Sequence, residues 1–121
     1  MTTTVTVDRD GERPLQFTGE RIATTDTWRE GKNVWTELVL WWTDTGKYVL
    51  QSIGRTDDPT KVDLFSATVH DTPEELHRQL AKNGAGGTLS APARELLELA
   101  ADEDDLIDAL LDQLLSTPEQ I

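Results

Sequence analysis

Two apolar-rich runs, Trp35 to Trp42 and Tyr48 to Ile53, flank Thr43-Asp44-Thr45-Gly46-Lys47, and no other stretch constrains the fold as much. Gly46 supplies the left-handed backbone that closes a three-residue hairpin loop with a bulge. With Thr43 opposite Lys47, Trp42 faces Tyr48, Trp41 faces Val49, Leu40 faces Leu50, Val39 faces Gln51 and Leu38 faces Ser52. Side chains alternate across a strand, so one face of the ribbon carries Leu38, Leu40, Trp42, Tyr48 and Leu50. The other carries Trp35, Val39, Trp41, Val49 and Ile53. Neither face is polar. An antiparallel sheet with one wet side alternates apolar and polar residues, so this ribbon needs cover on both sides. Helices can supply one cover. Curling of the sheet, the loop bearing Trp28, a second copy of the chain, or a partner can supply the other.

The chain around the hairpin divides into a sheet half, residues 1–70, and a helical half, residues 71–121. Strands are expected at Thr3–Arg9, Pro14–Thr24, Val34–Thr43, Lys47–Gly54 and Val62–Val69, with Asp10-Gly11 as a reverse turn. Connections this short join antiparallel neighbours. Thr72, Pro73 and Glu75 form a capping box that opens a helix, with Leu76 and Leu80 on one face and Gly84 as its stop. Ser90 caps a second helix running to about Ala101, with Leu96, Leu97 and Ala100 facing inward. A third starts at Asp102 or Glu103 and presents Leu106, Ile107, Leu110, Leu111, Leu114 and Leu115 as a core stripe, ending at Thr117-Pro118. The predicted fold is a single α+β domain, 1–121: an antiparallel β-meander of about five strands followed by three α-helices packed on one face. At 121 residues the chain has room for one modest core.

Charge narrows the partners. The net charge is -12, and twelve acids against three bases place -9 of it beyond residue 70. That field opposes direct nucleic-acid or anionic-membrane binding and leaves basic partners open. Asp104, Asp108 and Asp112 recur every four residues, a spacing that lines one helical face without a compensating base. Such a row either solubilises the helix or meets a basic groove on another protein, as an acidic inhibitor or nucleic-acid mimic would.

Chemistry-bearing patterns are sparse. The chain has no cysteine and two histidines, His70 and His77, seven residues apart and without a third ligand at zinc spacing. Asp102-Glu103-Asp104-Asp105 lacks the central glycine and alternating ligands of a calcium loop. No serine or threonine sits in a nucleophile elbow, and no glycine spacing forms a phosphate cradle. No metal, cofactor or catalytic residue is assigned. Four tryptophans suit stacking on a flat ligand, with Arg55 on the same strand parity as Trp35, Trp41 and Val49. Stacking on a single strand needs a basic track as well, and Arg29, Lys32, Lys47, Arg55 and Lys61 lie among acids. A cleft between sheet and helices holding Arg55 or Arg21 beside a tryptophan is the small-ligand or enzymatic alternative.

Phe17-Thr18-Gly19, Trp35 to Leu40, Asp44-Thr45-Gly46-Lys47-Tyr48-Val49-Leu50 and Gly54-Arg55 resemble a pattern in small actinobacterial proteins. Some of these belong to a mobile-element-associated group named for a terminal Glu-x-Leu-Asp-Ile motif. The terminal motif is missing here, where Asp105-Leu106-Ile107-Asp108 stands instead. The resemblance spans residues 15–80 and implies an accessory role; it carries no catalytic residue over.

These readings converge on a cytoplasmic, non-enzymatic protein-binding chain. Its expected surface is Trp35, Trp41, Val49, Ile53 and Arg55, with Asp104, Asp108 and Asp112 as the acidic alternative. Its partner is another protein or a second copy of itself, as a homodimer. Neither nucleic acid nor membrane is expected.

Overall fold

The computed structural model describes residues 3–28, 30–83 and 89–116, without the side chains of 83 and 114–116. The Gly84 stop, the 85–88 turn, Arg29, the Leu114 and Leu115 side chains and the Thr117-Pro118 terminator therefore lie outside the described residues. Five strands follow in order: β1 (Thr3–Val7), β2 (Leu15–Asp26), β3 (Val34–Thr43), β4 (Tyr48–Thr56) and β5 (Leu64–His70). Three helices complete the chain: α1 (Pro73–Asn83), α2 (Ala91–Ala101) and α3 (Asp105–Ser116). Each strand pairs antiparallel with the next, giving the sheet order β1-β2-β3-β4-β5. The α+β meander expected from the sequence is the observed fold.

The hairpin sets the register as its loop dictates. Gly46 has φ +82°, Thr43 N–H donates to the Lys47 carbonyl at 2.9 Å, and the Thr43 hydroxyl accepts from the Lys47 N–H at 3.0 Å. Trp42 then pairs with Tyr48, Trp41 with Val49, Leu40 with Leu50 and Leu38 with Ser52. Some strand limits differ from expectation, and hydrogen bonds outside the strand ladders explain two of them. β5 starts at Leu64 rather than Val62 because the Asp63 carboxylate takes the Thr56 N–H at 3.0 Å, replacing a backbone ladder partner. β1 stops at Val7 because the chain turns toward β5 instead, with the Asp10 N–H donating to the Phe65 carbonyl at 2.9 Å.

The helices cover one face. Leu40, Tyr48, Leu50 and Ala23 are buried beneath Leu76 and Leu80 of α1, Ala93, Leu96, Leu97 and Ala100 of α2, and Ile107 of α3. Of the expected α1 capping box the N-cap half is present, with the Thr72 hydroxyl accepting from Glu75 N–H, while the Glu75 carboxylate accepts from the N–H of Asp71, one residue before the cap. Ser90 caps α2 through Ala93 N–H. In α3 the expected stripe is narrower. Ile107 and Leu110 are buried and Leu111 partly so, but Leu106, in the first turn, is 61% exposed.

Curling of the sheet covers the other face. Val7 of β1, Val49 of β4 and Ala67 of β5 form a second buried cluster, joined by Val5, Leu15, Phe17 and Trp41. Phe17 meets Trp41 edge to face, with ring centroids 5.7 Å apart. Two devices produce the curl. A register shift between Arg21 and Ala23 bends β2, and the Asp10 carboxylate accepts the Phe65 N–H at 2.8 Å, fastening the β1–β2 turn to the far edge strand. Trp28, the other intrachain possibility, belongs to neither cluster and is exposed.

Candidate interaction surface

Rows of side chains crossing the helix-facing side of the sheet lose bulk from one end to the other. Register places Trp42, Tyr48 and His70 in the first row, and Leu40, Leu50 and Thr68 in the second. Leu38, Ser52 and Ser66 form the third, and Thr36, Gly54 and Leu64 the fourth. The helix layer sits over the first two. Its last contacts toward the third are Leu80 of α1 and the start of α2, where the Thr25 hydroxyl donates to the Pro92 carbonyl at 3.1 Å. Beyond that point no helix among the described residues covers the sheet, because Ser52, Gly54 and Ser66 offer a helix too little apolar surface to pack on.

The bare end holds two adjoining recesses that share Thr27 and Thr36. One, of about 400 Å³, is lined by Val34, Trp35, Arg55, Lys61, Val62 and Leu64, among others. Val34 is 55% exposed, Val62 79% and Leu64 64%. Three large aliphatic side chains more than half in water around one concavity differ from singly scattered exposed residues, which need no explanation. The second recess, of about 540 Å³, runs back toward the helices between Leu80 and Pro92.

Trp35 and Arg55 lie at this end on the opposite face of the ribbon. The Arg55 guanidinium bridges Glu37 at 3.2 Å and Asp63 at 2.9 Å, and the Trp35 indole N–H donates to Glu37 at 3.4 Å. Hydrogen bonds donated to Asp63 and Glu37 hold the Arg55 pKa above its ordinary value. Asp63 in turn sits below the usual carboxylate range because Arg55 and the Thr56 N–H both stabilise its anion. With two carboxylates already on it, Arg55 is a positioned rim charge and not a free anion receptor.

The remaining residues expected at the surface are divided by the fold. Val49 and Ile53 are buried inside the chain, and Trp41 is half-buried with its indole N–H donating to Gln51 at 3.1 Å. The curl therefore takes Trp41 and Val49 for core packing, Ile53 is buried outside that cluster, and Trp35 and Arg55 are left at the margin. Asp104 precedes α3 instead of lying on it. Its Oδ1 accepts Leu106 N–H at 2.9 Å and Ile107 N–H at 3.1 Å, and its Oδ2 accepts the Tyr48 hydroxyl at 2.7 Å. It is an N-cap and a tether to the sheet, a role that the four-residue acidic spacing concealed. Burial first, and then the Asp104 carboxylate, drive the Tyr48 pKa far above that of a free phenol, so the hydroxyl stays a donor. Asp108 and Asp112 are exposed.

Val34, Val62, Leu64, Ser52 and Gly54 are not among the surface residues expected from the sequence. The signal for them was the fall in side-chain size along the helix-facing parity, from Leu40 and Leu50 to Ser52 and Gly54. It becomes informative only when the helix lengths are known. Among the described residues no group of three or more His, Asp or Glu is placed to hold a metal ion, and no helix is long and apolar enough to cross a membrane. No family model, curated protein or solved structure matches the chain.

Proposed function

We propose that this chain is a non-enzymatic interaction protein that binds a second protein through the bare end of its sheet. The observation that carries the reading is the grouping of exposed Val34, Val62 and Leu64 around one recess, with Trp35 and Arg55 on its rim. Apolar residues surrounded by charged and polar neighbours are the composition of an interface core and its edge. Lys61 stands beside them, giving the rim a basic residue in a chain of net charge -12. The resemblance to mobile-element-associated proteins agrees with an accessory role. The acidic-groove alternative is weaker, because Asp104 is engaged within the chain and only Asp108 and Asp112 of that row face solvent.

A photo-crosslinking residue at Val62, irradiated in extract of the native cell, tests the proposal. A discrete adduct is expected, and Leu64→Glu should abolish it while leaving the circular dichroism melt unchanged. An adduct of twice the 13.5 kDa chain mass identifies a second copy, and any other mass a different partner. Absence of an adduct, or one indifferent to Leu64→Glu, overturns the reading.

A further inference from the structure

We infer that the partner taken by the bare end is a second copy of this chain, and that the two copies exchange Trp28, each indole entering the recess of the other. The inference rests on the proposed reading of that end as a binding surface and names its occupant. Seven large apolar side chains are exposed among the described residues, and four of them, Trp28, Val34, Val62 and Leu64, stand at this one end. Trp28 is the outlier. It is 56% exposed, and although the preceding Thr27 lines both recesses, Trp28 lines neither. Its backbone is held in place, because the Thr27 N–H donates to the Thr36 carbonyl at 2.9 Å and the Trp28 N–H to the Asp26 carboxylate at 3.0 Å. The chain therefore does not fill its own recess. Tryptophan has the largest apolar body of any side chain and is enriched among the residues that anchor interfaces.

The recess beside it suits a ring. Gly54 lines it together with Val34, Val62 and Leu64, in a space of about 400 Å³. The φ of Gly54 is not in the positive range, and a Cβ there would meet nothing closer than Leu64 Cβ at 3.5 Å, an ordinary contact. Neither a turn nor a clash within the chain calls for glycine, and glycine in a strand interior weakens it. What remains is a low floor that close approach from outside needs. A protruding indole and a recess on one surface of one chain are what a two-fold interface requires, since each copy then offers what the other receives. Charge selects the same arrangement. Asp26 lies two residues before Trp28, and Lys61 lines the recess without an ion pair among the described residues. Exchange brings Asp26 of each copy toward Lys61 of the other, twice per dimer. Most of the net charge, -9 of -12, belongs to the helical half, whose described helices leave this end uncovered, so the like charges of the two copies stay apart.

Sedimentation equilibrium of the full chain from about 10 µM to about 1 mM tests the exchange. The mass should rise to twice the 13.5 kDa of one chain. Trp28→Ala and Leu64→Glu should each weaken dimerisation at least about a hundredfold, two anchors being lost per dimer, with an unchanged circular dichroism spectrum. Gly54→Ala raises the floor by one methyl group and should weaken it at least about tenfold, again with an unchanged spectrum. A further arm mixes Trp28→Ala with Leu64→Glu. The first variant keeps a recess and the second an indole, so the mixture should form a heterodimer at least about tenfold tighter than either variant forms alone. A dimer indifferent to Trp28→Ala or to Gly54→Ala, or a mixture no tighter than its components, overturns the inference. A monomer at every concentration, with the Val62 crosslink still giving an adduct of another mass, overturns it and leaves the partner surface standing. A monomer that also gives no adduct overturns both.

Discussion

Asp104→Ala should be the most damaging single change in the acidic row, and its cost can be worked out from two contacts. The carboxylate caps α3 through Leu106 and Ile107 N–H groups at 2.9 and 3.1 Å, and loss of such a cap costs about 1 kcal/mol. It is also the acceptor for the hydroxyl of Tyr48, whose side chain is fully buried. Orphaning that hydroxyl costs about 1–3 kcal/mol. Together the change should remove about 2–4 kcal/mol, while Asp104→Asn, which keeps the capping oxygen and turns its amide N–H to the Tyr48 hydroxyl as donor, so that the hydroxyl must accept, should cost less, about 1 kcal/mol. Tyr48→Phe leaves the partly exposed carboxylate to water and should cost about 1 kcal/mol. In the double variant Tyr48→Phe/Asp104→Ala no hydroxyl is orphaned, so its cost should fall below the sum of the singles by about 1 kcal/mol or more. Urea unfolding followed by tryptophan fluorescence measures all four. The controls Asp108→Ala and Asp112→Ala, on exposed residues, should stay within about 0.5 kcal/mol of the parent. If Asp104→Ala costs no more than these, the assignment of Asp104 as a structural tether is refuted.

Gly19→Ala should destabilise by about 1–3 kcal/mol, read by thermal melting, because its Cβ would overlap the Trp42 carbonyl oxygen and lie 2.9 Å from Thr43 Cα where β2 crosses β3. Asp10→Ala should loosen the curl, raising hydrogen exchange at Phe65 and tryptophan emission from Trp41, because it deletes the bond that fastens the β1–β2 turn to β5. His70 has its pKa lowered by burial, against the opposing pull of Glu75 and Asp71. The fold therefore favours the neutral imidazole, so its contribution is present above the unfolded value of about 6.5 and is lost as the pH falls from there toward the folded pKa. His70→Gln should flatten the stability profile between pH 7.5 and 5, and an unchanged slope would remove this explanation. Asp63, its pKa lowered mainly by Arg55, contributes above the unfolded carboxylate value and loses that contribution as the pH falls through its depressed pKa. Arg55→Met should therefore raise the midpoint pH of acid unfolding, detectable by circular dichroism.

Local rules sufficed for the meander. The Asp44-Thr45-Gly46 loop set a register in which five consecutive pairs, Trp42–Tyr48 to Leu38–Ser52, were readable from alternation. Capping residues located the starts of α1 and α2 for the same reason: Thr72 and Ser90 bind amides three residues away. Asp104 misled because a repeat of four is the same whether its first member lies on the helix or caps it. What separates the two is a hydroxyl 56 residues earlier in the chain.

The alternation of the Trp35–Ile53 ribbon by itself required that both faces be sheltered, since period-two geometry sends large side chains both ways regardless of what lies beyond. Only the tertiary structure decided how. A bulge at Ile22 and one carboxylate at Asp10 roll the sheet over Trp41 and Val49, and three helices end two rows short of its far edge. The sequence determined how much apolar surface there was. Contacts between residues far apart determined which part of it stayed in water, because such contacts leave no periodic mark on the chain.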